Sequence, residues 1–144
     1  CYEAFLFFAW LHLIIQCGNY KKSFDIRSLD LTLIEFPLES CGVNEIANSI
    51  NVFVDGNKMK KIRGRDINFI LKKIGILDEE IVDNKKKSVT NGDSVDYGIS
   101  VEERNFYGDY YKKIVFNENG VFFLLNLLIE ASYESWYKAY FQGK

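Results

Sequence analysis

A single histidine, three scattered cysteines and no recognisable catalytic string set the first limits on this chain. His12 lies between Leu11 and Leu13 in an apolar run. Neither a charge partner nor a second ligand is spaced to use it as a general base. Cys1, Cys17 and Cys41 show no Cys-x-x-Cys spacing and no nearby histidine pair, so a zinc site and a thioredoxin-like motif are not supported. Their odd number leaves one thiol unpaired in a monomer, and a Cys17–Cys41 bridge and three reduced thiols both stay open. Also absent are Gly-x-Ser-x-Gly, His-Glu-x-x-His, a Walker A loop and Gly-x-Gly-x-x-Gly. No metal and no cofactor is expected.

Charge of one sign is missing too. Eighteen Lys and Arg against twenty Asp and Glu leave a formal charge of -2, which removes the bulk electrostatic argument for nucleic acid as a partner. What remains is ordinary globular material: 144 residues with 48% hydrophobic and 26% charged side chains, enough to bury one core without staples. No repeat, linker or change of composition divides the chain, so residues 1–144 are read as a single domain.

The most unusual stretch is N-terminal. Residues 4–20 carry no Asp, Glu, Lys or Arg, and residues 4–15 are almost continuously apolar. That run is shorter than the ~20 residues a helix needs to cross a bilayer, and matches the core of a secretory signal in length. The flanks are reversed for a signal, with Glu3 before the run and Lys21 and Lys22 after it. Ile14-Ile15-Gln16-Cys17 has the outline of a lipobox with Gln16 where a small residue belongs. Burial as a retained element corresponds to a cytoplasmic protein. A signal-like segment, or lipid attachment at Cys17, corresponds instead to an exported, periplasmic or membrane-anchored domain, and these readings alone bring in a membrane.

Periodicity supplies the elements. Phe24, Ile26, Leu29, Leu31 and Leu33 alternate with polar residues and predict a strand over 23–36, broken near Arg27. Residues 39–49 read as a polar connection. Ile50, Val52 and Val54 ahead of Asp55-Gly56 predict a strand, turn and strand over 50–62. Asp66 is placed to cap a helix with Ile67, Ile70, Leu71 and Ile74 on one face and Gly75 at its end. Residues 83–96, almost wholly polar, read as an exposed loop. Val95, Tyr97, Ile99 and Val101 alternate into a strand that turns near 105–109 and returns over 110–116. Asn117 and Gly120 precede a long helix over 121–141. The expected fold is therefore α+β: an antiparallel sheet of about four to five strands with helices packed on one face.

Three clusters are candidates for function. Glu102, Glu103, Phe106, Tyr107, Asp109, Tyr110 and Tyr111 gather acids and aromatics at a hairpin turn, where tyrosine offers rigid contact area and a hydroxyl. Lys58, Lys60, Lys61, Arg63 and Arg65 form a basic stripe. Strand alternation would divide it between two faces, and without interleaved aromatics it reads as a solvated edge or a small anion patch. Clustered carboxylates, Asp78-Glu79-Glu80, Glu102-Glu103 or Asp25, Asp30 and Glu35, are formal acid and base pairs for an unfamiliar small enzyme.

A small α+β chain with hairpins, capped helices, an acidic and aromatic turn and no catalytic motif resembles the immunity proteins that bacteria make against their own polymorphic toxins. The resemblance is one of size and element pattern and carries no residue string. It implies a non-catalytic inhibitor that masks a toxin domain, with Glu102, Glu103, Asp109 and the nearby aromatics as the contact.

Overall fold

The computed structural model describes residues 22–37 and 39–142. The apolar segment, His12, and the lipobox outline at Cys17 lie outside them. Among the described residues five strands and four α-helices follow one another as β1 (Cys41–Gly42), α1 (Val43–Asn51), α2 (Gly64–Lys73), β2 (Leu77–Val82), β3 (Lys85–Thr90), β4 (Ile99–Phe106), β5 (Asp109–Phe116), α3 (Glu118–Ala131) and α4 (Ser135–Gln142). This is the α+β class the sequence predicts, with every strand pair antiparallel. The strands divide into two sheets, one ordered β1-β5-β4 and one the separate pair β2-β3.

The predicted strand over 23–36 is replaced by two short 3-10 turns, Ile26–Ser28 and Leu31–Leu33. Asp25 accepts from the Arg27 amide at 3.0 Å and Asp30 from the Thr32 amide at 3.1 Å. These local side-chain bonds offer the backbone an alternative to a sheet ladder and override the alternation. The apolar positions still do their work, since Phe24 and Ile26 enter the core.

A second departure runs from 39 to 62. Most of the polar connection and the first two residues of the predicted hairpin are α1, whose buried residues Ile46, Ala47 and Ile50 share one helical face. Val52, expected on a strand, is 75% exposed. Asn51 then stands in for a neighbouring strand: its amide nitrogen donates to the Ile62 carbonyl at 2.7 Å and its oxygen accepts from the Ile62 N–H at 3.0 Å. That clamp closes the irregular segment in which Asp55 accepts from the Asn57 amide.

The expected helix after residue 63 forms, and begins at Gly64 rather than at an Asp66 cap. Asp66 sits in its first turn and reaches back to accept from the Arg63 N–H at 2.9 Å. At the other end Gly75 takes a φ of 85°, its N–H bonds the Lys72 carbonyl, and the Ile76 N–H bonds the Leu71 carbonyl. This is the paired closure of a Schellman motif, with Leu71 and Ile76 both buried.

The predicted loop over 83–96 is largely β-hairpin. Asp83 and Asn84 adopt φ of 52° and 63°, the two left-handed positions a tight turn needs, and Val82 pairs with Lys85. With most side chains of this ribbon exposed, no apolar alternation marks it in the sequence. The next segment, Ser94–Tyr97, is a 3-10 turn, so the strand starts only at Ile99. Finally, the long helix predicted over 121–141 is two helices. Asn117 caps the first by accepting from the Gly120 N–H at 2.9 Å, and the chain bends at Ser132, whose hydroxyl donates to the Ile129 carbonyl at 2.6 Å. The bend lets α4 lay Phe141 against Phe24, with Tyr137 packed on Phe141.

One core joins these parts. Ile26, Ile46, Ile50, Ile62, Ile67, Ile70, Leu71, Leu77, Ile99, Phe116, Leu124 and Leu128 are all fully buried, and each such side chain contributes about 1.5–3 kcal/mol by leaving water. Cys41 is a buried free thiol in it, and burial pushes its pKa up, away from the reactive thiolate.

Candidate functional site

The β4-β5 hairpin carries the acidic and aromatic cluster. Its register runs from Ile99 opposite Phe116 to Phe106 opposite Asp109, so its base is anchored in the core and its tip is not. Residues directly opposite in an antiparallel pair point to the same face. Glu102, Phe106, Asp109 and Tyr111 therefore share one face, with Arg104 and Lys113 between them, while Glu103 and Tyr110 lie on the other. The structure thus divides the sequence-predicted set across both faces and places Tyr107 at the turn.

The aromatics do not fold back onto the sheet: Phe106 is 63% exposed, Tyr107 94%, Tyr110 76% and Tyr111 48%. Tyr107 and Gly108 form the two-residue turn with φ of 51° and 90°, and Asn105 braces it by accepting from the Gly108 N–H at 2.8 Å. A left-handed backbone costs a side-chain-bearing residue roughly 1–2 kcal/mol. A bulky, exposed tyrosine is therefore held at a position better suited to Asn or Gly. Its ring meets that of Phe106 edge-on at 4.6 Å.

Charges near the base of the hairpin are used internally. Arg104 donates to Glu102 at 3.0 Å, Ser40 reaches Glu102 at 3.4 Å, and Lys113 bonds Glu45 of α1 at 2.6 Å. The hydrogen bond and charge of Lys113 outweigh burial and hold the Glu45 carboxyl below its usual range, with its bond from the Gly42 amide adding to the effect. Glu103 and Asp109 make no ion pair among the described residues.

The basic stripe is not a strand edge. Lys58, Lys60 and Lys61 lie in the irregular segment before α2, Arg63 is bonded to Asp66, and Arg65 is in the first turn of the helix. The carboxylates proposed as acid and base pairs are likewise dispersed. Asp25 pairs with Arg27, Asp30 bonds Thr32, and Glu79 pairs with Lys72 at 3.1 Å. Among the described residues no group of three or more His, Cys, Asp or Glu is placed to hold a metal ion.

Sequence reasoning missed the most buried charge in the described chain. Asp66, 1% exposed, accepts from Arg63 Nε at 3.2 Å, from Arg63 Nη2 at 3.0 Å and from the Tyr140 hydroxyl at 2.6 Å, besides the Arg63 N–H. Burial pushes the Asp66 carboxyl up, and these hydrogen bonds with the Arg63 charge pull it below its ordinary value. Burial and the bond to Asp66 push the Tyr140 phenol up to about 12. Arg63 and Asp66 are visible at i,i+3, but Tyr140 lies 74 positions further on, beyond any spacing argument. The cluster joins α2 to α4 and has the geometry of a structural tie.

Comparison with family models, with curated proteins and with solved structures gives no match to this chain.

Proposed function

We propose that this chain is a non-catalytic protein-binding domain that engages its partner through the tip of the β4-β5 hairpin. The observation that carries the reading is Tyr107, 94% exposed and held with a φ of 51° at the turn. Strain retained at an exposed aromatic has no folding benefit, and such outliers cluster where a ligand or partner is clamped. Phe106, Tyr110 and Tyr111 supply further exposed ring area, and Asp109 stands beside them as a carboxylate with no ion pair among the described residues. Rigid aromatic anchors with few rotatable bonds are the residues that dominate interface energies.

The resemblance to immunity proteins extends the proposal: the partner is a toxin domain, masked by the hairpin through steric cover and the charge of Asp109, with Glu102 held by Arg104 and Glu103 on the opposite face. The test is capture of the partner by tagged wild-type protein beside the Tyr107→Ala/Asp109→Ala double variant. A protein retained by the wild type and lost by the variant is the expected result. Equal retention by both, or no stable partner from the natural source, removes the proposal.

A further inference from the structure

The outer edge of β4 is a row of backbone groups that nothing among the described residues uses. The Asn117 N–H donates to the Gly98 carbonyl at 3.0 Å, which fixes the phase of the ladder between β4 and β5. Bonded positions alternate along an antiparallel pair, so Ser100, Glu102, Arg104 and Phe106 bond β5. Ile99, Val101, Glu103 and Asn105 turn their N–H and C=O groups away from it. β4 is the last strand of its sheet, and those outward groups make no backbone bond among the described residues. The register runs through all eight pairs without a bulge and the strand holds no proline, so two of the usual devices that close an edge to other strands are missing.

A cleft of ≈ 410 Å³ lies along the same strand, lined by Val82 and Val89 of the β2-β3 ribbon and by Val101 and Ile114 of the hairpin. Val101 is 43% exposed there. A free backbone edge beside apolar side chains is what strand addition uses: main-chain bonds give affinity, and the flanking side chains give specificity.

Charge decides between occupants. A second copy of β4, antiparallel across a two-fold axis, has two registers that overlap most of the strand. One sets Glu102 opposite Glu102 and the other Glu103 opposite Glu103, and like charges directly opposite are destabilising. A strand of different sequence has no such conflict. Cross-strand rows already run from Ile114 to Val101 and from Lys112 to Glu103. Glu103 makes no ion pair among the described residues, so an added strand best continues these rows with an apolar residue beside Val101 and a basic residue beside Glu103.

We propose that the outer edge of β4 binds an extended segment of a protein partner as an additional antiparallel strand, which carries an apolar and a basic side chain two positions apart on the face of Val101 and Glu103. The surface lies below the hairpin tip and does not rest on the reading of the tip aromatics.

The test is an amide-shift and hydrogen-exchange titration of the full chain with the capped peptide Thr-Val-Thr-Lys-Thr-Val-Thr-Lys. Saturable shifts and slowed exchange at the Val101 and Glu103 amides are expected, because those N–H groups gain acceptors. N-methylation of the valines and lysines of the peptide removes the donors that face β4 and keeps the side chains, and should weaken binding about tenfold or more. Glu103→Lys should weaken binding several-fold and prefer the peptide with glutamate in place of lysine, a rescue that a misfolded variant does not give. Tyr107→Ala should bind as the wild type does, so failure of the tip reading and failure of this one are told apart. The proposal is overturned by no saturable change at those amides up to about 10 mM, by equal binding of the N-methylated peptide, or by the same peptide preference in wild type and Glu103→Lys. Protection of these amides that grows with protein concentration in the absence of peptide also overturns it, and assigns the edge to a second copy.

Discussion

Replacing Asp66 by Asn keeps the volume and shape of a side chain that is 1% exposed and removes only its charge and one acceptor. In the wild type one carboxylate oxygen accepts from Arg63 Nη2 and the Tyr140 hydroxyl, and the other from the Arg63 N–H and Nε. An amide has a single carbonyl oxygen, so whichever way the introduced side chain turns, its NH2 group faces donors. The outer part of Arg63 is wet and recovers some hydration, which lowers the cost. Together with the lost charge in the first turn of α2, the expected destabilisation is about 2–3 kcal/mol. Tyr140→Phe is the comparison. It removes one bond to the carboxylate, keeps the ring stacked 4.0 Å from Phe69, and should cost about 1–2 kcal/mol.

Urea unfolding of both variants and the double variant supplies the test, and pH supplies its signature. The folded-state pKa of Asp66 is depressed, so its contribution is complete above the unfolded value and is lost as pH falls through the folded one. The stability curves of wild type and Asp66→Asn should therefore converge on acidification. Tyr140 acts in the opposite sense, because its raised pKa makes its contribution complete below an unfolded value of about 10 and lost as pH climbs through about 12. A cost for Asp66→Asn below about 0.5 kcal/mol, or acid profiles that stay parallel, would refute the assignment of this cluster as the tie between α2 and α4.

Three other substitutions probe the backbone. Gly98 has a φ of 79°, and a Cβ there would collide with Gly120 backbone and the Asn117 side chain, so Gly98→Ala should cost about 2 kcal/mol or more in thermal or urea unfolding. Asn84→Val places a branched side chain at a φ of 63° and should cost about 1–2 kcal/mol in opening the β2-β3 ribbon, read as lost amide-exchange protection over 77–90, whereas Asn84→Gly should not. At the other turn, Tyr107→Asn should leave stability unchanged or raise it by up to ~1 kcal/mol while abolishing capture of the partner; a fall in stability would show that Tyr107 is held there for folding.

The sequence reading succeeded where local rules and tertiary packing agree. The helix ending at Gly75 has its apolar stripe, its basic last turn and its left-handed glycine all in one short stretch, and the β4-β5 hairpin joins alternation near Ile99 and Val101 to a glycine turn. It failed where an apolar residue fits two periods. Ile50 belongs equally to the alternation with Val52 and Val54 and to the helical face with Ile46 and Ala47, and a window of this length does not separate them. The β2-β3 ribbon escaped because both its faces are mostly exposed, leaving no burial for a pattern to record. Of the candidate sites, the aromatic cluster at the hairpin turn was legible as a run of residues, but its exposure and its division between two faces were not.

The sequence alone determined the α+β class, the helix over the Gly64 to Gly75 region, a helix start near residues 117–120, the β4-β5 hairpin and the aromatic content of its turn, because each rests on neighbours within a few positions. Only the tertiary structure decided that the strands form two sheets, that α3 and α4 part at Ser132, that Tyr140 reaches Asp66, and that Tyr137 hides a hydroxyl with no hydrogen-bond partner among the described residues. Those outcomes depend on groups brought together from distant parts of the chain, where burial sets the energy of a hydrogen bond or a charge and sequence spacing has no bearing.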